Sequence, residues 1–506
     1  MRKQEVACIK KQMGNMKMKR RTGNIIFVTV CMAVGLIPFV GMSVAKTETT
    51  TENRVLSEWP SLSDDGSFNV NFLPEAGSYF EDHFAFRNQF VAADSLLMGK
   101  VFHQSSVDTV LVGTDNWLYY TDSLDDYLGQ NVVSERGAYN IANNLKIVQN
   151  KMTQQGIDFA FTIAPNKNSL YDEHMPYYYS VKASDTNNRA KVLPLLDQMA
   201  IRYIDLYEPF EERDEVLYRA QDSHWNEKGA VLAYNTILDG LEKVHNDLSD
   251  VPILRTKTTK GDLGVSLYSV AAQPEWDCQY EYDSQISYVT DTDSWEDVWI
   301  QTESPGKTGS LLMFRDSFGN TLSPLIAEEY GQAAFSKDTV YHLDSRIDAC
   351  QPDTVLFEIV ERNLERFGQF AKDDHSAGPP VMEAPYAVDV DVYNADQAET
   401  GTTAEAYFSD LRPDYLCVAG KIDEELLDTE SNVYIEITAD GTSNVYEAYT
   451  VTDPDSGADN GYLMYLNSTR IPDGVFQIRV FTEDTDGRVT MVLDQEMDVS
   501  SEIAGN

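Results

Sequence analysis

Two short segments bring together residue types suited to nucleophilic acyl chemistry: Asp222-Ser223-His224-Trp225, and later Phe314-Arg315-Asp316-Ser317-Phe318-Gly319-Asn320. A serine hydroxyl is a poor nucleophile until a base takes its proton, and histidine is the side chain suited to that task near neutrality. Ser317 is therefore the candidate nucleophile and His224 the candidate base. A carboxylate on the other ring nitrogen fixes the tautomer and stabilises the imidazolium, and Asp222, two residues earlier, can supply it from a local turn. Singly, each residue has an ordinary reading: Asp222 as a loop carboxylate, His224 as a surface histidine, Ser317 as a helix cap. Together they would form an acyl-serine intermediate, which either water or another hydroxyl then resolves.

Such residues work only where strands and helices hold them in register. Ser317 follows the apolar run Ser310–Arg315 and precedes a helical pattern near Leu322–Tyr330, which puts its hydroxyl at the carboxyl end of a strand, with helix-start N–H groups available to a developing oxyanion. Asn226 is placed to cap the helix after His224, and Gly229-Ala230 permit close packing there. Around these lie a helix over about Ala138–Gln154 and the strands Asp158–Ala164, Arg202–Leu206 and Asp353–Val360. Alternation of this kind predicts an α/β domain with a mostly parallel sheet. Its first element is an amphipathic helix through Phe80, Phe84, Phe86, Phe90 and Leu96-Leu97, so the domain is expected over 76–371. A Pro-rich linker is expected at 372–385. Beyond it, Val433–Ile437, Tyr446–Val451, Gly461–Leu466, Val475–Phe481 and Val489–Leu493 alternate or run apolar, with Asp440-Gly441, Asp473-Gly474 and Asp486-Gly487 as turn dipeptides. They predict a C-terminal all-β sandwich, immunoglobulin-like or jelly-roll, over 386–502.

The whole chain has 506 residues, with 82 Asp+Glu against 39 Lys+Arg and a formal net charge of -43. Phosphate backbones are repelled by such a surface, so no nucleic-acid partner is expected. Five cysteines without a CxxC pair exclude zinc ribbons and disulfide scaffolds as organising themes. Residues 1–23 carry eight basic residues against Glu5, and the apolar stretch Ile25–Ala45 follows. By the positive-inside rule 1–23 is a cytoplasmic tail, 24–45 a single-pass transmembrane anchor or signal segment, 46–75 a linker, and the rest of the chain is outside the cell. About twenty apolar residues suffice to span a bilayer, which favours a retained anchor, while Ser43-Val44-Ala45 has the small-residue character of a cleavage site that would leave the protein secreted.

Taken in order, these segments resemble the SGNH-hydrolase-like proteins related to the alginate O-acetyltransferases, whose Gram-positive members are called DHHW proteins. In that family a D-x-H-W segment precedes the nucleophile, as Asp222, His224 and Trp225 do, and a later D-S-[YF]-x-N-x-x-x-P segment is matched by Asp316 to Asn320 with Pro324. Further matches are Glu52-Asn53-Arg54 before Trp59-Pro60, Asp82-His83-Phe84 with Arg87, Gly113 to Tyr119, and Ala164-Pro165-Asn166-Lys167, so the resemblance extends from Thr51 to about Glu361. Two positions depart from the pattern: Ser223 stands where a second His is usual, and Arg315 replaces the glycine before Asp-Ser.

The resemblance implies an SGNH-hydrolase-like, flavodoxin-like domain that transfers acetyl groups to an exported cell-surface or secreted polysaccharide. It also implies a membrane-bound O-acyltransferase as the partner that passes the acyl group across the membrane. Asn320 and Asn166 are candidate oxyanion donors, or else satisfy loop backbone. Lys167 either steers an anionic glycan or is solvated; Trp225 and Trp117 either stack on sugar rings or belong to the core; Arg315 is grouped with these as a substrate-side candidate. The same triad would serve a carbohydrate acetyl esterase, and a non-catalytic glycan-binding protein using the C-terminal domain is the reading outside enzymology. The acidic loop Asp453 to Gly461 lacks the ligand pattern of a calcium loop, and G-x-S-x-G, H-E-x-x-H and Walker motifs are missing, so no cofactor or metal is expected.

Overall fold

In the computed structural model, residues 21–38, 40–42, 56–64, 67–370, 378–398, 401–409, 412–439, 441–453, 456–468 and 475–498 are described. The Glu52-Asn53-Arg54 match, most of the basic tail, Ser43 to Ala45, Asp440, Asp455 and Asp473-Gly474 lie outside them. The chain divides into two compact units, Met1–Leu118 with Lys260–Glu275, and Tyr119–Thr259 with Trp276–Asn506.

In the first unit, the apolar N-terminal segment forms a helix over Arg21–Met42 whose most apolar window has mean hydropathy 2.5. Twenty-two residues at about 1.5 Å each match a hydrocarbon core of about 30 Å, so the helix is a candidate anchor or signal. The amphipathic pattern expected through Phe80–Leu97 is two helices, Phe72–His83 and Arg87–Leu97. The break falls where Phe84 is extended and Phe86 adopts a left-handed conformation at φ 65°, so the mixed spacing of the phenylalanines belongs to two faces rather than one. Part of the expected linker at 46–75 is packed: the Trp59 ring lies edge-on to Phe72, Tyr79 and Phe80.

The second unit holds the α/β sheet. Its strands are β1 (Asp158–Ala164), β2 (Tyr203–Ile204), β3 (Ser287–Tyr288), β4 (Trp299–Glu303), β5 (Ser310–Phe314), β6 (Gln332–Ser336) and β7 (Thr354–Val360), in the order β2-β1-β7-β5-β6-β4-β3. The five strands from β2 to β6 are parallel, and β4 and β3 add an antiparallel edge. Apolar runs such as Phe159–Ala164 and Val355–Val360 are buried throughout, as expected of strands covered on both faces. The chain builds outward from β1 to β2 and from β5 to β6, then returns with β7 between the halves. That arrangement opens a crevice at the carboxyl ends of β1, β7 and β5. Helix α1 (Glu135–Gln155) leads into β1, and α2 (Asn188–Gln198), α3 (Glu227–Gly240), α4 (Gly319–Ala327) and α5 (Leu343–Cys350) lie in the connections between the strands.

The C-terminal region is made mostly of strands, as expected: β8 (Asp396–Gln397), β9 (Thr403–Ser409), β10 (Arg412–Lys421), β11 (Asn432–Ala439), β12 (Thr442–Val451), β13 (Gly461–Asn467), β14 (Val475–Glu483) and β15 (Val489–Asp498). They form one hydrogen-bonded sheet, β8-β15-β14-β11-β12-β13-β10-β9, rather than the two separate sheets of a sandwich. Alternation sorts its residues between two cores. Leu416, Val418, Tyr462, Met464 and Ile478 cluster on one face, while Cys417, Ala419, Tyr449, Val451, Leu463 and Tyr465 join Ile141, Leu145, Val148 and Phe367 of the α/β domain. The two regions therefore share a core within one compact unit, and the expected division at 372–385 does not separate them. From residue 378 the expected linker is structured: Val381 and Met382 are buried, and Ala384 N–H donates to Tyr465 O at 2.9 Å.

Candidate active site

The turn after β5 is tied down by Asp316. Its Oδ1 accepts from Phe318 N–H at 2.9 Å and its Oδ2 from Val360 N–H at 2.7 Å, so the end of β7 anchors the turn that carries Ser317. Asp316 N–H in turn donates to Glu358 Oε2 at 3.2 Å. Glu358 is fully buried, and that burial, followed by the Asp316 charge, pushes its carboxyl well above the usual range. Helix α4 then starts at Gly319, where a Cβ would sit 2.4 Å from Arg315 Cδ. Glycine at this position lets the Arg315 side chain fold back against the helix start.

On the other side, residues 217–226 form a tight loop closed by the Tyr218–Trp225 bridge and by Asn226 N–H donating to Leu217 O at 2.8 Å. Asn226 caps α3 through Oδ1, which accepts from Lys228 N–H and Gly229 N–H at 3.0 and 3.1 Å. A Cβ on Gly229 would lie 2.7 Å from Leu217 O and 2.8 Å from Trp225 Cβ, so only glycine lets the helix approach its own entry loop this closely. Lys167 Nζ, after β1, donates to Ala220 O and Asp222 O, both at 2.8 Å, holding the loop from beneath.

These two constructions bring three residues into line. His224 Nδ1 lies 2.7 Å from Asp222 Oδ1, and His224 Nε2 lies 2.8 Å from Ser317 Oγ. Asp222 Oδ1 also accepts from His224 N–H at 3.0 Å, which fixes the ring's backbone as well as its edge. With Nδ1 protonated toward Asp222, Nε2 is the acceptor for the Ser317 hydroxyl. Burial alone would raise the Asp222 carboxyl, but the hydrogen bond and charge of His224, with Arg219 at 3.7 Å, hold it well below the usual carboxylate range. Arg219 is itself held by Asp277 at 2.5 Å. The Phe318 ring lies edge-on to both His224 and Trp225, each at 5.0 Å.

The remaining candidates fall elsewhere. Trp225 is fully buried, with Nε1 donating to Thr321 Oγ1 at 3.0 Å, so it joins the base loop to α4 and offers no ring to a sugar; Trp117 is buried as well. Asn166 is fully buried, its Nδ2 donating to Asp126 Oδ2 at 3.0 Å and its Oδ1 accepting from Arg362 at 3.2 Å, so it belongs to the scaffold and not to an oxyanion hole. Lys167 is buried with its Nζ on the loop carbonyls, so it is not solvated. Arg315 is likewise internal, donating to Asn320 Oδ1 at 2.6 Å, Trp295 O at 2.6 Å and Asp297 O at 3.3 Å. Its guanidinium holds Asn320 through Oδ1, and Asn320 Nδ2 makes no hydrogen bond among the described residues. Sequence reading missed Arg219, Phe318 and Thr321 as positioning residues. Phe318 was in plain view inside the D-S-F segment, and Arg219 stands only three residues before Asp222, but its anchor Asp277 and the Trp225 partner of Thr321 are distant in sequence and gave no signal.

Residues 110–298 match the family model described as "SGNH hydrolase-like domain, acetyltransferase AlgX". Similar solved structures include Bacillus cereus PatB1, at 17% identity over 50% of this chain and 96% of that one, TM-score 0.40. A DHHW family protein from Eubacterium siraeum DSM 15702 has 16% identity over 46% and 86%, TM-score 0.37. Pseudomonas aeruginosa AlgX has 12% identity over 76% and 94%, TM-score 0.34. No curated protein matches the chain by sequence.

Proposed function

We infer, from the SGNH hydrolase-like domain that this chain carries over residues 110–298, that it is a serine-dependent O-acetyltransferase acting on a polysaccharide. The observation that supports this most directly is the Asp222–His224–Ser317 alignment, with hydrogen-bond distances of 2.7 and 2.8 Å. His224 takes the Ser317 proton as Oγ attacks the donor's acetyl carbonyl, and the imidazolium is stabilised by ionised Asp222. Ser317 N–H, which makes no hydrogen bond among the described residues, and Asn320 Nδ2 are the donors for the oxyanion. A glycan hydroxyl then takes the acetyl group from Ser317. The apolar helix Arg21–Met42 after a basic segment supports a membrane-anchored protein with its catalytic domain outside the cell. Its donor would then be loaded by a membrane-bound acyltransferase, and its substrate would be a cell-wall or exopolysaccharide.

The test is intact-protein mass spectrometry after exposure to an activated acetyl ester. The expected result is a single acetyl adduct that is lost in Ser317→Ala and in His224→Ala. An adduct that persists in Ser317→Ala would overturn the assignment of the nucleophile. In cells, Ser317→Ala is expected to lower polysaccharide acetylation; a rise would instead identify an esterase.

A further inference from the structure

A groove of about 370 Å³ lies between the first turns of α3 and α4 and the strand segment Asp277–Tyr280 with the residues after it. Both helices start directly after the reacting residues: α4 two residues beyond Ser317, and α3 three beyond His224. Asn320, on the first turn of α4, and Glu227, on the first turn of α3, are among the residues that line the groove, each three residues beyond Ser317 and His224 respectively. The facing wall carries Tyr280, Glu281 and Tyr282, and Tyr280 N–H donates to Glu227 Oε2 at 3.0 Å, which ties that wall to α3. Leu254 and Tyr282 are 50% and 37% exposed, so the wall presents an apolar and aromatic face to whatever enters.

The volume lies in the range of about 300–1,000 Å³ typical of small-molecule sites. Its chemistry narrows the occupant. Tyrosine rings offer flat apolar faces with a polar tip, suited to the C–H faces and hydroxyls of a sugar. No lysine or arginine lines the groove, while Glu227 and Glu281 do, and the whole chain carries -43. An acidic polymer would bring its charges against these carboxylates without a cation to meet them.

Resting on the acetyltransferase reading above, we propose that this groove is the acceptor site and that it selects a glycan free of carboxylate, sulfate and phosphate groups. The acceptor hydroxyl gives its proton to His224 Nε2 as its oxygen attacks the acetyl carbon. The new C–O bond forms, the bond from that carbon to Ser317 Oγ breaks, and the proton passes from Nε2 to Oγ.

The experiment uses the full chain in detergent micelles, an activated acetyl ester as donor, and three acceptors of equal length: a neutral glucan oligomer, an N-acetylhexosamine oligomer and an oligouronate. The two uncharged oligomers are expected to give roughly tenfold or greater kcat/KM than the oligouronate, with the gap narrowing as salt screens the repulsion. Tyr282→Ala should raise the KM for the uncharged acceptor severalfold, and Tyr282→Phe should bring it back by restoring the ring. Equal or better use of the oligouronate, or an unchanged KM in Tyr282→Ala, would overturn the proposal. Intact mass of the same samples separates the two readings. An acetyl adduct on Ser317 without this selectivity removes the acceptor assignment alone, and absence of the adduct removes the acetyltransferase reading with it.

Discussion

At the residue scale, the site depends on side chains buried behind the reacting groups. Arg315 is the clearest case: it is buried, with its guanidinium divided between Asn320 Oδ1 and the carbonyls of Trp295 and Asp297. Asn320→Ala should cost on the order of 10²-fold in kcat if Nδ2 receives the oxyanion, measured as the rate of Ser317 acetylation at saturating ester. Asp222→Asn should cost more, on the order of 10⁴-fold, because an amide favours the wrong imidazole tautomer. Ionised Asp222 also stabilises the fold. Its carboxyl is depressed in the native state, so that contribution is present above the ordinary carboxylate pKa and fades as pH falls below it. Asp126 has the opposite sign. Burial, then Glu361, pushes its carboxyl up to about 8, and its buried Oδ1 has no hydrogen-bond partner among the described residues. The stability contributed by the protonated form is complete below the ordinary carboxylate pKa and is lost as pH rises toward about 8. Asp126→Asn keeps an acceptor for Asn166, so its melting temperature relative to the parent should rise between pH 5 and pH 9; a constant difference would refute this.

At the scale of elements, two helix starts and one loop set the distance between base and nucleophile. Asn226 and Gly229 hold α3 against the loop that bears His224, and Trp225 joins that loop to Thr321 on α4. Asn226→Ala should cost about 1 kcal/mol of stability from the lost cap, read by denaturant titration. Gly229→Ala should do more to activity than to helix propensity. Alanine is the better helix former, yet its Cβ would meet Leu217 O and displace the entry loop, so acetylation of Ser317 should slow while the helix itself persists. Much of this level was legible beforehand. The cap, the strand Asp158–Ala164 and the helix after Asn226 follow from local patterns. The break between Phe72–His83 and Arg87–Leu97 was not, because two short amphipathic faces in succession read as one irregular period.

At the scale of the molecule, the C-terminal sheet belongs to the unit that holds the site. Asn144, fully buried on α1, donates through Nδ2 to Phe367 O at 2.6 Å and Thr450 O at 2.8 Å, and its Oδ1 accepts from Thr450 N–H at 3.0 Å. Asn144→Ala would leave those backbone groups buried and unpaired, at about 1–3 kcal/mol each before relaxation. A single cooperative transition is expected for the whole unit, shifted to lower denaturant in this variant. A fragment beginning at residue 386 should expose the face carrying Tyr449, Val451, Leu463 and Tyr465 and aggregate. Recovery of a stable, monomeric fragment would refute the shared core.

The sequence by itself determined the chemistry on offer and the fold class. Asp222, His224 and Ser317 stand in recognisable local contexts, and strand and helix periodicity are properties of neighbouring residues. Even the double-sided burial of β13 was present in the unbroken run Tyr462–Leu466, read there only as a strand. What only the tertiary structure decided concerns residues whose partners are far along the chain. Arg315, Lys167, Asn166 and Trp225 had the right types to meet a substrate, but which way a polar or aromatic side chain turns depends on the carbonyls, carboxylates and rings that folding delivers around it. Here those groups come from residues 126, 220, 295 and 321, and no local pattern encodes that delivery.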